Sequence, residues 1–108
     1  MIQLGDIRDA VSAGKTIWQY HSSQMLIERR IASADVIASI IDGEVIEEYH
    51  NDKPFPSMLI LGWIGNRPIH TVCSFNDSIG MVHIITVYEP DLDHFEADFR
   101  TRRSKIHE

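Results

Sequence analysis

One cysteine, Cys73, stands in a chain of 108 residues. A lone thiol cannot close an internal disulfide and cannot found a cysteine-based zinc site. Its place in an expected strand favours a small buried hydrophobe over a nucleophile. Long apolar runs are missing too: the longest fall far short of the roughly 20 residues that cross a bilayer. The opening MIQLGDIRDA lacks the basic-then-apolar layout of a secretory signal, which makes the cytoplasm the expected location. Positive charge is scarce, 10 Lys and Arg against 16 Asp and Glu, for a formal net charge of −6. That balance argues against a protein that coats long nucleic acid by charge, because phosphate contacts need many lysines and arginines. The few cations are unevenly spread. Arg29 and Arg30 adjoin, while Arg100, Arg102, Arg103 and Lys105 crowd the C-terminus. Such spots on an acidic body suffice to grip a few phosphates, although a solvated tail is the plainer use of the second cluster.

What is present suits one soluble domain over residues 1–108, at 44% hydrophobic and 24% charged. No repeat, linker or low-complexity tract interrupts it. Leu4, Ile7 and Val11 fall at i, i+3 and i+7, predicting a helix that ends near Gly14. A second helix is expected within Trp18 to Arg30, with Thr16 or Ser22 as its cap. A third follows: Ser33 as N-cap, Asp35 at the positive helix start, Val36, Ile37, Ile40 and Ile41 as the buried face, and Gly43 as a left-handed stop.

After Gly43 the apolar period changes to two. Strands are expected over Glu44–Tyr49, Ser57–Ile64, Arg67–Phe75 and Met81–Glu89. The loop NDKPFP, the Gly65-Asn66 hairpin signal and NDSIG separate them. Phe95 and Phe99, at i and i+4, suggest a short helix or tail over His94–Lys105. The expected fold is therefore α+β: two or three helices packed on one face of a four-stranded antiparallel sheet.

The segment RPIHTVCSF sets a titratable ring in a strand. Alternation sends Ile69, Thr71, Cys73 and Phe75 toward the helices and His70 to the opposite face, expected to be open. The last strand is apolar on both sides, so parity does not choose its face. Should Thr86 and Tyr88 lie beside His70, an imidazole, a hydroxyl and a phenol would share a surface. That trio suits acid–base chemistry near neutral pH. A structural histidine is the plainer alternative. A metal site finds less support: the six histidines include no helical i, i+4 pair and no HExxH.

The stretch HSSQMLIERRI (residues 21–31), then SADV, DGEVIEEYHNDKPFPSMLILGWIGNRPIHTV and IITVYEPD, resembles a small prokaryotic family, the domain of unknown function DUF4258. The likeness runs over about residues 18–103 and rests on the order of these pieces. It implies a fold similar to RelE/barnase-type ribonucleases and a toxin encoded beside a small zinc-finger antitoxin. It also implies RNA as substrate, cleaved through the RNA's own 2′-hydroxyl without metal or cofactor. Carried onto matched positions, it makes His70, Arg29, His21, Tyr88 and Thr86 the candidate catalytic set. His70 is then the acid or base, Arg29 the phosphate clamp, Tyr88 a proton donor or stacking platform, and Thr86 an orienting hydroxyl. His21 is either a second acid–base group or a helix-start packing residue. Arg30, Arg102 and Arg103 would add phosphate contacts. Arg30 stands where the family pattern carries glycine, which leaves open which arginine acts, and the acidic balance departs from ribosome-associated toxins. The competing expectation is a non-catalytic interaction domain that binds a partner, or a second copy as a homodimer, through its sheet.

Overall fold

The computed structural model describes residues 3–103. In chain order the elements are α1 (Leu4–Ser12), β1 (Thr16–Trp18), α2 (Tyr20–Arg29), α3 (Ser33–Ile41), β2 (Glu44–Tyr49), β3 (Ser57–Ile64), β4 (Arg67–Asn76) and β5 (Met81–Tyr88). The α+β class holds. The sheet, however, has five strands in the order β1-β5-β4-β3-β2 and is mixed. The added strand, β1, pairs parallel with β5, Ile17 opposite His83. Three residues are too few for an alternation signal, which is why periodicity passed over it.

Helix ends differ in detail from expectation. Gln19 and Ala32 are the N-caps of α2 and α3, neither with a side-chain cap bond. Ser22 instead turns inward, its hydroxyl 2.7 Å from Gln19 O and 3.0 Å from Ile84 O, tying α2 to β5. Gly43 is not a left-handed stop: α3 ends at Asp42 with φ −95°. Its need for hydrogen in place of a side chain is steric. A Cβ there would meet Ser39 O at 2.5 Å, and one on Gly62 would meet the same oxygen at 2.2 Å. The two glycines let α3 lie directly on β3.

The core forms between the helices and one sheet face. Ile7, Val36, Ile40, Ile60, Ile69, Cys73, Val82, Ile84 and Val87 are sealed there, and burial pushes the Cys73 thiol up to about 12. In β5 the register jumps between Val72↔Thr86 and Cys73↔Ile84. Ile85 is the extra residue. This bulge returns Val87 to the core side and puts Thr86 and Tyr88 opposite Ile84 in facing, which alternation alone could not show. A second bulge, at Ile46, does the same for β2.

Pairing then fixes three rows on the face away from α1 and α3. They are Glu44, Leu61, His70, Tyr88; then Glu47, Leu59, Val72, Thr86; then Tyr49, Ser57, Ser74, His83. His70 is on the predicted side, but that side is not open. The segment after β5 crosses it as a loop, without the expected helix. A bridge pairs Phe95 with Arg102, supported by Arg103 N donating to His94 O at 2.9 Å and Glu96 N to Thr101 O at 2.8 Å. Phe95 buries its ring beneath it, over the His70 end of the face, which has no helix above it. Lys105 lies outside the described residues.

Candidate functional site

The covered end of that face holds a polar cluster. His70 is wholly buried, with Tyr88 Oη 3.0 Å from Nδ1 and the Phe99 carbonyl oxygen 2.6 Å from Nε2. A carbonyl only accepts, so Nε2 carries the proton and Nδ1 accepts from the phenol. Phe95 meets the ring edge-on at 4.6 Å and Tyr88 at 5.1 Å. Burial draws the His70 pKa below its ordinary 6.5, against the opposing pull of the Phe99 carbonyl. Burial likewise raises that of Tyr88.

Beside it, Arg102 forks onto Glu47, with Nε 2.6 Å from Oε2 and an Nη 3.1 Å from Oε1. The guanidinium lies 4.9 Å from the centre of the Phe95 ring. Tyr49 donates its hydroxyl to Glu47 at 2.5 Å. The Arg102 hydrogen bond holds Glu47 below the usual carboxylate range, while burial and Glu47 push Tyr49 up to about 12. Arg100 adds an ion pair to Glu44. Charge and aromatic contacts together fasten the C-terminal segment to β2, β4 and β5.

The far end of the face opens into a cleft of about 430 Å³. His83 and Ser74 form its floor, His21 and Gln19 one wall, and Asp52, Lys53 and Phe55 of the β2–β3 loop the other. His83 has Nδ1 3.4 Å from Gln19 Nε2, and its buried Nε2 has no hydrogen-bond partner among the described residues. Phe55 stacks on the ring, centroids 6.1 Å apart and planes inclined by 26°. Ser57 donates to Asp52, which anchors the loop. Two imidazoles, an ammonium and a hydroxyl thus line one cavity.

The expected residues are thereby divided. His70 and Tyr88 meet, with Arg102 close by through Glu47 and Phe95. Thr86 sits one row away and places its hydroxyl 3.2 Å from Met25 Sδ. His21 belongs to the cleft. Arg29 and Arg30 are exposed at the end of α2, joined to His70 by no hydrogen bond or ion pair among the described residues. Arg103 pairs with Glu96 and reaches Leu92 O. His83, Lys53 and Ser74 escaped the sequence. Only the register Ser74↔His83 and the fold-back of NDKPFP reveal them, and the latter read simply as a strand breaker. Among the described residues no group of three or more His, Cys, Asp or Glu is placed to hold a metal ion, and no helix is long and apolar enough to cross a membrane.

These features define a small α+β domain with a histidine-lined cleft at one end of its sheet and a strapped polar cluster at the other. The chain belongs to the family described as Domain of unknown function (DUF4258), which it matches over residues 18–89. No curated protein and no solved structure matches it.

Proposed function

We propose that the chain is a metal-independent endoribonuclease of the toxin kind, with its chemistry in the cleft of His21 and His83. The observation that carries this reading is the meeting of two imidazoles and Lys53 around one cavity. Cleavage of RNA by its own 2′-hydroxyl asks for that set: a base, an acid and a cation for the charge growing on phosphorus. His21, exposed on the first turn of α2, takes the 2′ proton as the 2′ oxygen bonds to phosphorus. His83 gives its proton to the 5′ oxygen as the P–O5′ bond breaks, which requires its covered Nε2 to be uncovered as RNA enters the cleft. The products are a 2′,3′-cyclic phosphate and a free 5′-hydroxyl. Lys53 neutralises the non-bridging oxygens. Phe55 offers a ring on which a base can stack.

Helices followed by four consecutive antiparallel strands support kinship with the RelE/barnase type of fold. A cytoplasmic location and a small zinc-finger antitoxin as partner go with the same reading. In the test, purified chain is incubated with single-stranded RNA and EDTA, and the product ends are analysed. Cyclic phosphate ends, and an intact substrate when the 2′-hydroxyl is replaced by hydrogen, are expected. Intact RNA at high enzyme concentration would refute the assignment.

A further inference from the structure

Helix α2 turns one side to the cleft and another to a separate apolar groove. The groove, about 430 Å³, runs along Trp18, Ser23, Leu26, Ile27, Ile31 and Ser33 and shares no lining residue with the cleft. Leu26 and Ile31 are buried and form its base. Ile27, by contrast, is 79% exposed, and Tyr20, two turns earlier on the same helix, is 77% exposed. Leaving an isoleucine and a tyrosine this bare costs apolar hydration that covering would recover.

The charges next to the groove point to what covers it. Each other arginine of the described residues already has an acceptor. Arg8 donates to Gly43 O, Arg67 pairs with Glu89, Arg100 with Glu44, Arg102 with Glu47 and Arg103 with Glu96. Arg29 and Arg30 have none among the described residues. They close α2 between two groove residues, Ile27 and Ile31, and Arg30 takes a left-handed conformation, φ 55°, where the chain leaves the helix. In a protein of net charge −6, two uncommitted cations beside a half-buried tryptophan and an exposed tyrosine and isoleucine have the composition of a protein-binding hot spot.

We infer that this groove docks an amphipathic helix of a partner protein, its apolar stripe on Trp18, Leu26 and Ile27 and its acidic flank on Arg29 and Arg30. The groove, walled by α2, the end of β1 and the start of α3, suits helix-in-groove recognition, and the arginines fix the partner's charge and direction.

The experiment is a selection, on the immobilised full chain, from a displayed library of helical peptides with fixed apolar stripes and randomised flanks. Enrichment of Asp and Glu at one end is expected. Ile27→Ser should weaken the selected peptides about tenfold or more, and Arg29→Glu with Arg30→Glu should reverse the preference toward Lys flanks. These side chains are exposed, so an unchanged melting temperature accompanies the loss. Selected peptides without acidic enrichment, or indifferent to Ile27→Ser, overturn the proposal. Two further outcomes also overturn it. One is a dimer in sedimentation that Ile27→Glu abolishes, which assigns the groove to a second copy. The other is a short RNA that competes for the arginines while ignoring Ile27.

Discussion

His70 Nε2 lies 2.6 Å from the carbonyl oxygen of Phe99, a contact that joins a central strand to a segment outside the sheet. Phe99 presents that carbonyl from a left-handed conformation, φ 59°, unusual for a bulky residue. Such a conformation persists where surrounding contacts over-determine it, and the His70 bond is one of them. Replacing His70 by alanine removes partners from both the Phe99 carbonyl and the Tyr88 hydroxyl and leaves a void. A loss of about 3 kcal/mol follows. Amide exchange should localise it: the Glu96 and Arg103 amides, which close the segment, exchange faster in His70→Ala. Unchanged protection at those amides would show that the segment does not depend on the imidazole.

The same ring makes stability depend on pH. Accepting the Tyr88 proton and donating to Phe99 requires neutral imidazole, and burial draws its pKa below 6.5 in the folded chain. Below that value the unfolded chain binds a proton that the folded chain resists, so stability falls as pH falls from 6.5 toward the folded pKa. Above it this contribution is fully present and flat. In urea titrations at about pH 7.5 and about pH 5.5, wild type should lose more than His70→Gln, narrowing the gap between them. A gap that widens on acidification would contradict the sign.

Gly62 and Gly5 separate steric from conformational roles. A Cβ at Gly62 meets the Ser39 backbone, whereas one at Gly5, inside α1, meets nothing within 4 Å. Gly62→Ala must therefore push α3 off β3, at about 2 kcal/mol or more. Gly5→Ala should stabilise by about 0.5–1 kcal/mol through helix propensity. Denaturant midpoints of the two variants must move in opposite directions. A shared direction would mean that α3 has room to shift.

How far the sequence disclosed this molecule depended on the range of each signal. Strands β2 and β3 were legible to the residue and β4 and β5 to within one, because alternation and turn glycines are local. The bulges at Ile46 and Ile85 were not, since an extra residue is recognisable only against its partner strand. They decide the site: without the second, Tyr88 would face the core and His70 would lack its phenol. The covering of His70 was equally hidden. Phe95 and Phe99 at helical spacing suggested a helix, but Arg102 closing on Glu47, from 55 residues away, holds them as a loop. His21 was legible as a candidate. Its cleft companion His83 was not, because pairing across strands rather than spacing along the chain brings the two together.

That Arg102–Glu47 contact is the next to test. One partner is half exposed and the other largely covered, so solvent discounts the attraction. A double-mutant cycle of Arg102→Met and Glu47→Gln should give a coupling of about 1 kcal/mol. Single substitution of Arg102 also removes the cation from the Phe95 ring and should cost more than that of Glu47. Zero coupling would leave the aromatic contacts, the His70–Phe99 hydrogen bond and the Arg100–Glu44 pair to hold the segment down.

The location of the chemistry can be decided between two histidine environments. His70 has both nitrogens engaged and no exposed surface, so any proton it exchanged with RNA would first require the Phe99 carbonyl and the strap above it to leave. His83 keeps one nitrogen without a partner and sits in a cleft that His21 also lines. If the proposed ribonuclease acts through the cleft, His21→Ala and His83→Ala each lower cleavage about 100-fold or more, the usual yield of a positioned acid or base. His21→Ala should keep its melting temperature, since that side chain is exposed. His70→Gln should behave inversely: a lower melting temperature, with cleavage near wild type in the cold, where the variant is folded. Gln19→Leu would separate positioning from chemistry, because it removes the hydrogen bond to His83 Nδ1 and leaves both imidazoles in place. Its cleavage should fall less than that of His83→Ala. Should His70→Gln alone abolish cleavage while fully folded, the strap would have to open during turnover, and the active centre would move to the His70–Tyr88 pair.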